Sequence, residues 1–257
     1  MPNSLHPSAE HGFRQTAALY QTARPSYPDQ IIDWLRQELA LNYQSEVVDL
    51  GAGTGKFIPY LQKITQYIQA IEPISEMLEQ LKLVYPHIHC IETDSKNLKL
   101  LKQSTDAILC AQSFHWFADQ ESLQAIYTAL KPKASLGLIW NQRDTSFPWV
   151  KAIADALLPF EGDTPRFHNG TWREVFNGSD LFEFKSVHTY PLLHTGTVEQ
   201  VIMQRLLSTS FVAASSPEQK EHIYQKILNI VHEHLNKDLK DTVDFPYVTY
   251  AYHYQKR

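Results

Sequence analysis

Only two of the 257 residues are cysteine, and Cys90 and Cys110 each sit inside an apolar run. That excludes a disulfide framework and predicts two buried thiols in a reducing compartment. A basic excess is missing too. The 23 lysines and arginines against 28 aspartates and glutamates give a formal charge of −5, which argues against a nucleic-acid-binding surface. No stretch approaches a membrane-spanning run, and Met1-Pro2-Asn3-Ser4-Leu5-His6-Pro7 lacks a signal-peptide core. The expectation is a soluble cytoplasmic protein with neither nucleic-acid nor membrane partners; no oligomeric state is assigned. Twelve histidines invite a metal guess, but His232 and His234 are two apart, and no pair has zinc-helix spacing with a third ligand. No metal is expected.

What is present centres on Glu46 to Phe57. An apolar run ends at Asp49-Leu50, a loop follows with glycine at 51, 53 and 55, and Phe57, Tyr60, Leu61 and Ile64 then recur at helical spacing. The pattern reads as buried strand, tight turn and helix start. Such glycines admit positive φ and let a ligand lie against bare backbone, while the following helix offers unpaired N–H groups. A dinucleotide fingerprint requires G-x-G-x-x-G, whereas this loop is G-x-G-x-G with Asp49 two residues ahead. The carboxylate would repel a diphosphate and suits an ammonium. A Walker loop is excluded because Gly55-Lys56 runs into Phe57. The stretch resembles the first motif of the class I S-adenosylmethionine-dependent methyltransferases, E/D-x-G-x-G-x-G, matched from Asp49 through Gly51, Ala52 and Gly53 to Gly55.

The remaining chain divides readily. Residues 1–28 form an N-terminal arm carrying Phe13, Tyr20 and Arg24-Pro25-Ser26-Tyr27-Pro28, a candidate lid, before a helix that begins near Asp29 with Ile31, Ile32, Trp34, Leu35 and Leu39 on its apolar face. A second strand, Tyr67 to Glu72, ends in an acid suited to accept bonds from two ribose hydroxyls, and Ser75 is the expected N-cap of the helix after it. His87 to Ile91 is a third strand. In the resembled family an acid just past it holds the adenine amino group; Asp94, followed by Ser95, matches best, with Glu92 as competitor. Asp106 to Ala111 is a fourth strand that breaks into an aromatic-rich turn, placing Gln112 to Trp116 beyond the carboxyl ends of the sheet. Ser113-Phe114-His115-Trp116-Phe117 resembles a small-molecule subgroup of these methyltransferases, the type 11-like group, which also carries an Arg-Pro-x-Tyr-Pro arm like residues 24–28. A fifth strand covers Ser135 to Trp140 and leads to Arg143.

Then come a helix over 149–158 and a long loop over 159–180 with Trp172 and Arg173. Strands over 184–190 and 247–254 follow, separated by helices at 198–207 and 217–236. Length and patterning predict an α/β fold in a single domain over 1–257. The resemblance implies a doubly wound, seven-stranded, mostly parallel sheet with the last strand antiparallel, and a small helical cap inserted over 195–240 above the acceptor.

These readings predict transfer of a methyl group from S-adenosylmethionine to a small-molecule acceptor. Asp49, Gly51, Ala52, Gly53, Gly55, Glu72, Asp94, Ser95 and Gln112 would hold the cofactor, and Tyr20, Gln112, His115 and Trp116 would shape the acceptor side. His115 has the unperturbed pKa of a general base near neutrality. A carboxylate acceptor needs no base, and Arg24 or Arg143 would then bind it in a forked geometry. The competing readings are a nucleotide-dependent oxidoreductase, a non-catalytic S-adenosylmethionine-binding partner protein, and a methyltransferase acting on RNA or protein.

Overall fold

The computed structural model describes residues 23–98 and 102–257, so Tyr20 and most of the expected arm lie outside the described residues. Seven strands form one sheet in the order β3-β2-β1-β4-β5-β7-β6. They are β1 (Val47–Leu50), β2 (Ile68–Ile71), β3 (His89–Ile91), β4 (Thr105–Ala111), β5 (Leu130–Arg143), β6 (Phe182–Thr197) and β7 (Thr242–Lys256). The first five pair in parallel, whereas β7 runs antiparallel to both β5 and β6. This is the sheet the resemblance implies.

Strand side chains alternate between faces, and two cores follow from that. Val47, Ala70, Leu109 and Ile139 pack under α1 (Gln30–Gln37) and α2 (Ile58–Gln62). Val48, Leu50, Ile108, Cys110 and Leu138 pack on the opposite side with α4 (Gln120–Ala129). From β1 the chain runs outward to β2, through α3 (Ser75–Val84) to β3, and then crosses back to β4 on the far side of β1. That reversal opens a crevice beyond the carboxyl ends of β1 and β4.

A third apolar cluster lies to one side. β7 pairs with β5 only as far as Arg143↔Tyr247, but with β6 as far as Thr197↔Thr242, so the β6–β7 ribbon runs past its neighbour. Val243 and Phe245 on this ribbon pack with α5 (Pro148–Glu161) and with the helices between β6 and β7. Those helices are a π-helical turn (Glu199–Gln204), α6 (Arg205–Leu207), α7 (Ser210–Ala213) and α8 (Pro217–Leu235). A capping box between Ser216 and Gln219 starts α8, which buries Ile223, Ile227 and Val231.

Several local expectations are corrected. β6 is far longer than 184–190, running from Phe182 to Thr197 through Pro191, which is tolerated on a strand paired along one side only. The helix expected over 198–207 is instead a π-helical turn followed by a single turn of α-helix. Ser75 is not an N-cap. Ile74 takes that position, its amide donating to Glu72 at 2.9 Å, while the Ser75 hydroxyl donates to Glu92 at 2.5 Å.

Candidate functional site

The crevice is a cleft of about 1160 Å³, part of it open to solvent, floored by the loop after β1. Gly51, Gly53 and Gly55 all have positive φ, of 72°, 57° and 84°. Gly51 is required for a second reason, since a Cβ there would lie 2.5 Å from the Ser113 Cβ. Its absence lets the turn after β4 close on β1, where the Ser113 hydroxyl donates to the Leu50 carbonyl at 2.6 Å. Gly55 lies outside the cleft lining, and a Cβ there would meet Tyr85 and Leu81.

The loop does not cradle an anion with its amides. Those of Gly51 and Ala52 donate to the Ile71 carbonyl, that of Gly53 to Glu72 and that of Gly55 to the Ala52 carbonyl. The chain after Gly55 is no better placed, because the amides of Ile58 and Tyr60 are bonded to the carbonyls of Gly55 and Phe57. A diphosphate would find few of the donors that dinucleotide sites provide, which removes the main support for the oxidoreductase reading.

Two buried carboxyls line the cleft instead. Neither oxygen of Asp49 has a hydrogen-bond partner. Burial, and then the nearby Glu72, push its pKa up to about 8. Glu72 accepts one backbone bond on each oxygen, from Gly53 at 2.8 Å and Ile74 at 2.9 Å. Burial still raises it to about 7. Each of its oxygens keeps a second lone pair for a hydroxyl. An orphaned buried carboxyl is costly and calls for a cationic or donating ligand.

Asp94 and Ser95 line the same cleft, whereas Glu92 does not. Asp94 Oδ1 accepts from the amides of Lys96 and Asn97 and from the Asn97 side chain. The Ser95 hydroxyl is turned to Ser122 at 2.8 Å. Lys56 also lines the cleft, its pKa lowered to about 8 by burial and by Arg24 and Arg205.

A second chamber of about 560 Å³ adjoins the first, sharing Arg24, Gln112, Trp116, Asn141 and Arg205 with it. Gln112 marks the junction and is held at φ +63° with its amide on the Ile139 carbonyl, strain of a kind concentrated at functional positions. Among the described residues, four guanidinium groups line this chamber, Arg24, Arg143, Arg166 and Arg205, and no carboxyl does. They come from four separate places in the chain. Arg24 is held by Ser208, donating to its hydroxyl at 3.1 Å and its carbonyl at 2.6 Å. Arg166 stands 3.8 Å from Glu161. Arg143 has no partner among the described residues, and burial lowers its pKa to about 10. Arg205 Nε, Ser210 Oγ and Tyr247 Oη are buried without partners, and all three residues line the chamber.

His115 lines this chamber beside Trp116. The expected base is not poised for that work, because burial first, and then Arg166, Arg24 and His168, lower its pKa to about 3. Sequence reasoning thus reached Arg24, Gln112, His115, Trp116 and Arg143 but missed Lys56, Arg166, Arg205, Ser210 and Tyr247. Arg205 left one trace: a charge beside the apolar Val201, Ile202, Met203 and Leu206. Within the long loop, Arg166 faces the chamber, while Trp172 is buried against Trp140 and Arg173 lies over Trp172.

The crevice at the strand reversal and its paired acids define a class I methyltransferase site, and the comparisons with known proteins agree. Residues 48–138 match the family model described as a methyltransferase domain. Two uncharacterized proteins of Schizosaccharomyces pombe, one named methyltransferase-like and one methyltransferase, align over nearly the whole chain. The first is 33% identical and covers 95% of each chain; the second is 34% identical, covering 95% of this chain and 96% of the relative. A solved structure from Anaeromyxobacter dehalogenans, described as a type II methyltransferase, superposes with a TM-score of 0.68 at 18% identity, covering 91% of this chain and 97% of that one. The chain belongs to the methyltransferase family, with S-adenosylmethionine as methyl donor. The site fits that donor through the unpartnered Asp49 carboxyl, the Glu72 oxygens and the glycine floor.

Proposed function

We propose that this methyltransferase esterifies a small acid carrying more than one carboxylate. The observation that carries the reading is the chamber which, among the described residues, has four guanidinium groups, the unpartnered Ser210 and Tyr247 hydroxyls and no facing carboxyl. Forked guanidinium donors match carboxylate geometry, and so dense a positive cluster needs anionic compensation. Arg143 and the Nε of Arg205 have no partner among the described residues, and a second carboxylate gives each of them one.

When bound, S-adenosylmethionine supplies a methyl carbon on a positive sulfonium and departs as a neutral thioether. On the donor side, Asp49 takes the ammonium of the donor, Glu72 its ribose and Asp94 its adenine, with Gly51, Ala52, Gly53, Ser95 and Gln112 forming the walls. Across the junction the arginines hold an acceptor that is already ionised at neutral pH, so no side chain has to remove a proton. One carboxylate oxygen forms the new bond to the methyl carbon as the carbon–sulfur bond breaks. Positioning and exclusion of water supply the catalysis. Once esterified, that group is neutral and loses its charge-assisted hold on the arginines, which favours release. A small-molecule acceptor fits the size of the chamber, about 560 Å³, which Arg24, held by Ser208, and Arg205 help to line. We place the enzyme in the cytoplasm, a reading supported by its two free cysteines; among the described residues no helix is long and apolar enough to cross a membrane.

The test is thioether release from S-adenosylmethionine across a panel of mono-, di- and tricarboxylic acids, phenols and amines. The reading expects turnover with di- or tricarboxylic acids and fails if only phenols or amines are methylated.

A further inference from the structure

His115 is one of the residues lining the arginine-rich chamber, and one of its ring nitrogens is already committed. The Trp140 indole Nε1 lies 3.1 Å from His115 Nδ1. An indole nitrogen only donates, so Nδ1 must be the unprotonated, accepting nitrogen of the ring. Trp140 itself is fixed: it is buried, with its ring 4.5 Å from Trp172, 5.0 Å from Phe167 and 5.9 Å from Tyr252. The charged groups acting on His115 are Arg166, Arg24 and His168, and Arg143 and Arg205 line the same chamber. None of these favours a second proton on the ring.

We propose that Trp140 is a positioning residue that locks His115 in the neutral tautomer protonated on Nε2, so that the ring meets the acceptor as a hydrogen-bond donor and never as a base. This deepens the carboxylate reading, because a fixed neutral donor complements an oxygen anion and is useless for deprotonating a phenol or an ammonium. It also gives a use to a histidine whose charge is suppressed: the lock makes a permanent N–H donor of a residue that elsewhere switches with pH.

The experiment is nitrogen NMR of the full chain labelled in its histidines, recorded without any acceptor, with the His115 signal assigned by its loss in His115→Gln. The expected spectrum is the Nε2-protonated tautomer, unchanged from about pH 5.5 to about pH 9, a range in which an ordinary histidine titrates. A ring protonated on Nδ1, or one that titrates within that range, overturns the proposal. In Trp140→Phe, which keeps an aromatic ring but removes the donor, the signal should become a tautomer mixture. The KM for the acceptor should rise in inverse proportion to the Nε2-protonated fraction that this spectrum gives, about twofold for an even mixture, with donor affinity unchanged. A Trp140→Phe protein with wild-type tautomer and KM contradicts the lock.

His115→Gln separates donor from base, since glutamine offers an N–H at similar reach but cannot accept a proton. It should keep far more activity than His115→Ala, and equal loss in the two would assign a base. Failure of every carboxylic acid as substrate would end the acceptor reading while leaving the spectrum to decide the tautomer.

Discussion

Asp49 carries the sharpest consequence at the scale of single residues. Its carboxyl is raised to about 8, so the folded, ligand-free chain holds a proton there that the unfolded chain releases near pH 4. Stability of the ligand-free protein therefore falls as pH rises from about 4 to about 8 and then levels off. Glu72, raised to about 7, acts in the same direction. An ammonium beside Asp49 favours the ionised form, so the affinity for S-adenosylhomocysteine should climb through this same window, as calorimetry at several pH values would show. Asp49→Asn should weaken that affinity by about tenfold or more, the cost of a lost charge-assisted contact, and reduce its pH dependence to the part that Glu72 contributes. The same change should raise the melting temperature above pH 8, because it removes a buried charge. On the acceptor side, Arg143→Met should raise the acceptor KM by about tenfold to a hundredfold with donor affinity intact. Equal loss of donor binding would place Arg143 at the wrong end of the site.

Among the elements, the loop after β1 and the turn after β4 depend on each other. Gly51→Ala would set a Cβ 2.5 Å from Ser113 on a residue with φ of 72°. A destabilisation of about 2–4 kcal/mol is expected from backbone strain and overpacking together, read as a lower denaturant midpoint. An unchanged midpoint would mean the two loops separate at little cost. Gly137→Ala is a useful contrast: its Cβ would meet Leu109 at 2.5 Å and Trp34 at 2.9 Å within the sheet. It should lower stability while leaving the acceptor KM alone.

The same elements explain what could be read in advance. Asp49, the glycines and Glu72 were legible because their signal is local: a strand, its terminal acid and the turn beyond it are contiguous in sequence. The Ser113 to Phe117 turn was legible as a position, not as a chemistry. What makes His115 a poor base is first its burial, and then guanidinium groups from the arm and the long loop, with the Trp140 indole from β5 on its Nδ1, none of them its sequence neighbours. Arg166 was invisible for the same reason, and Arg205 nearly so. The π-helical turn before Arg205 has no periodic signature either, although such turns recur near functional sites.

At the scale of the whole molecule, the sheet builds one half of the site and the surrounding segments the other. Reversal of strand order at β1 places the two acids and the glycine floor at one crevice. The ribbon of β6 and β7 runs beyond the sheet and carries Tyr247, while the helices inserted between those strands bring in Arg205 and Ser210. On the proposed reading, donor recognition belongs to the parallel half and acceptor choice to segments whose contacts only folding assembles. The full alignment with the Schizosaccharomyces pombe relatives spans both halves.

The measurement that tests the central claim most directly uses donor labelled in its methyl group, a dicarboxylic acid, and mild alkali after the reaction. Esters hydrolyse under those conditions, whereas methyl ethers and methylamines do not. The label should appear in the acid product and then be released quantitatively as methanol. Label that stays fixed through the alkali, or that never reaches any acid, would contradict a carboxylate methyltransferase.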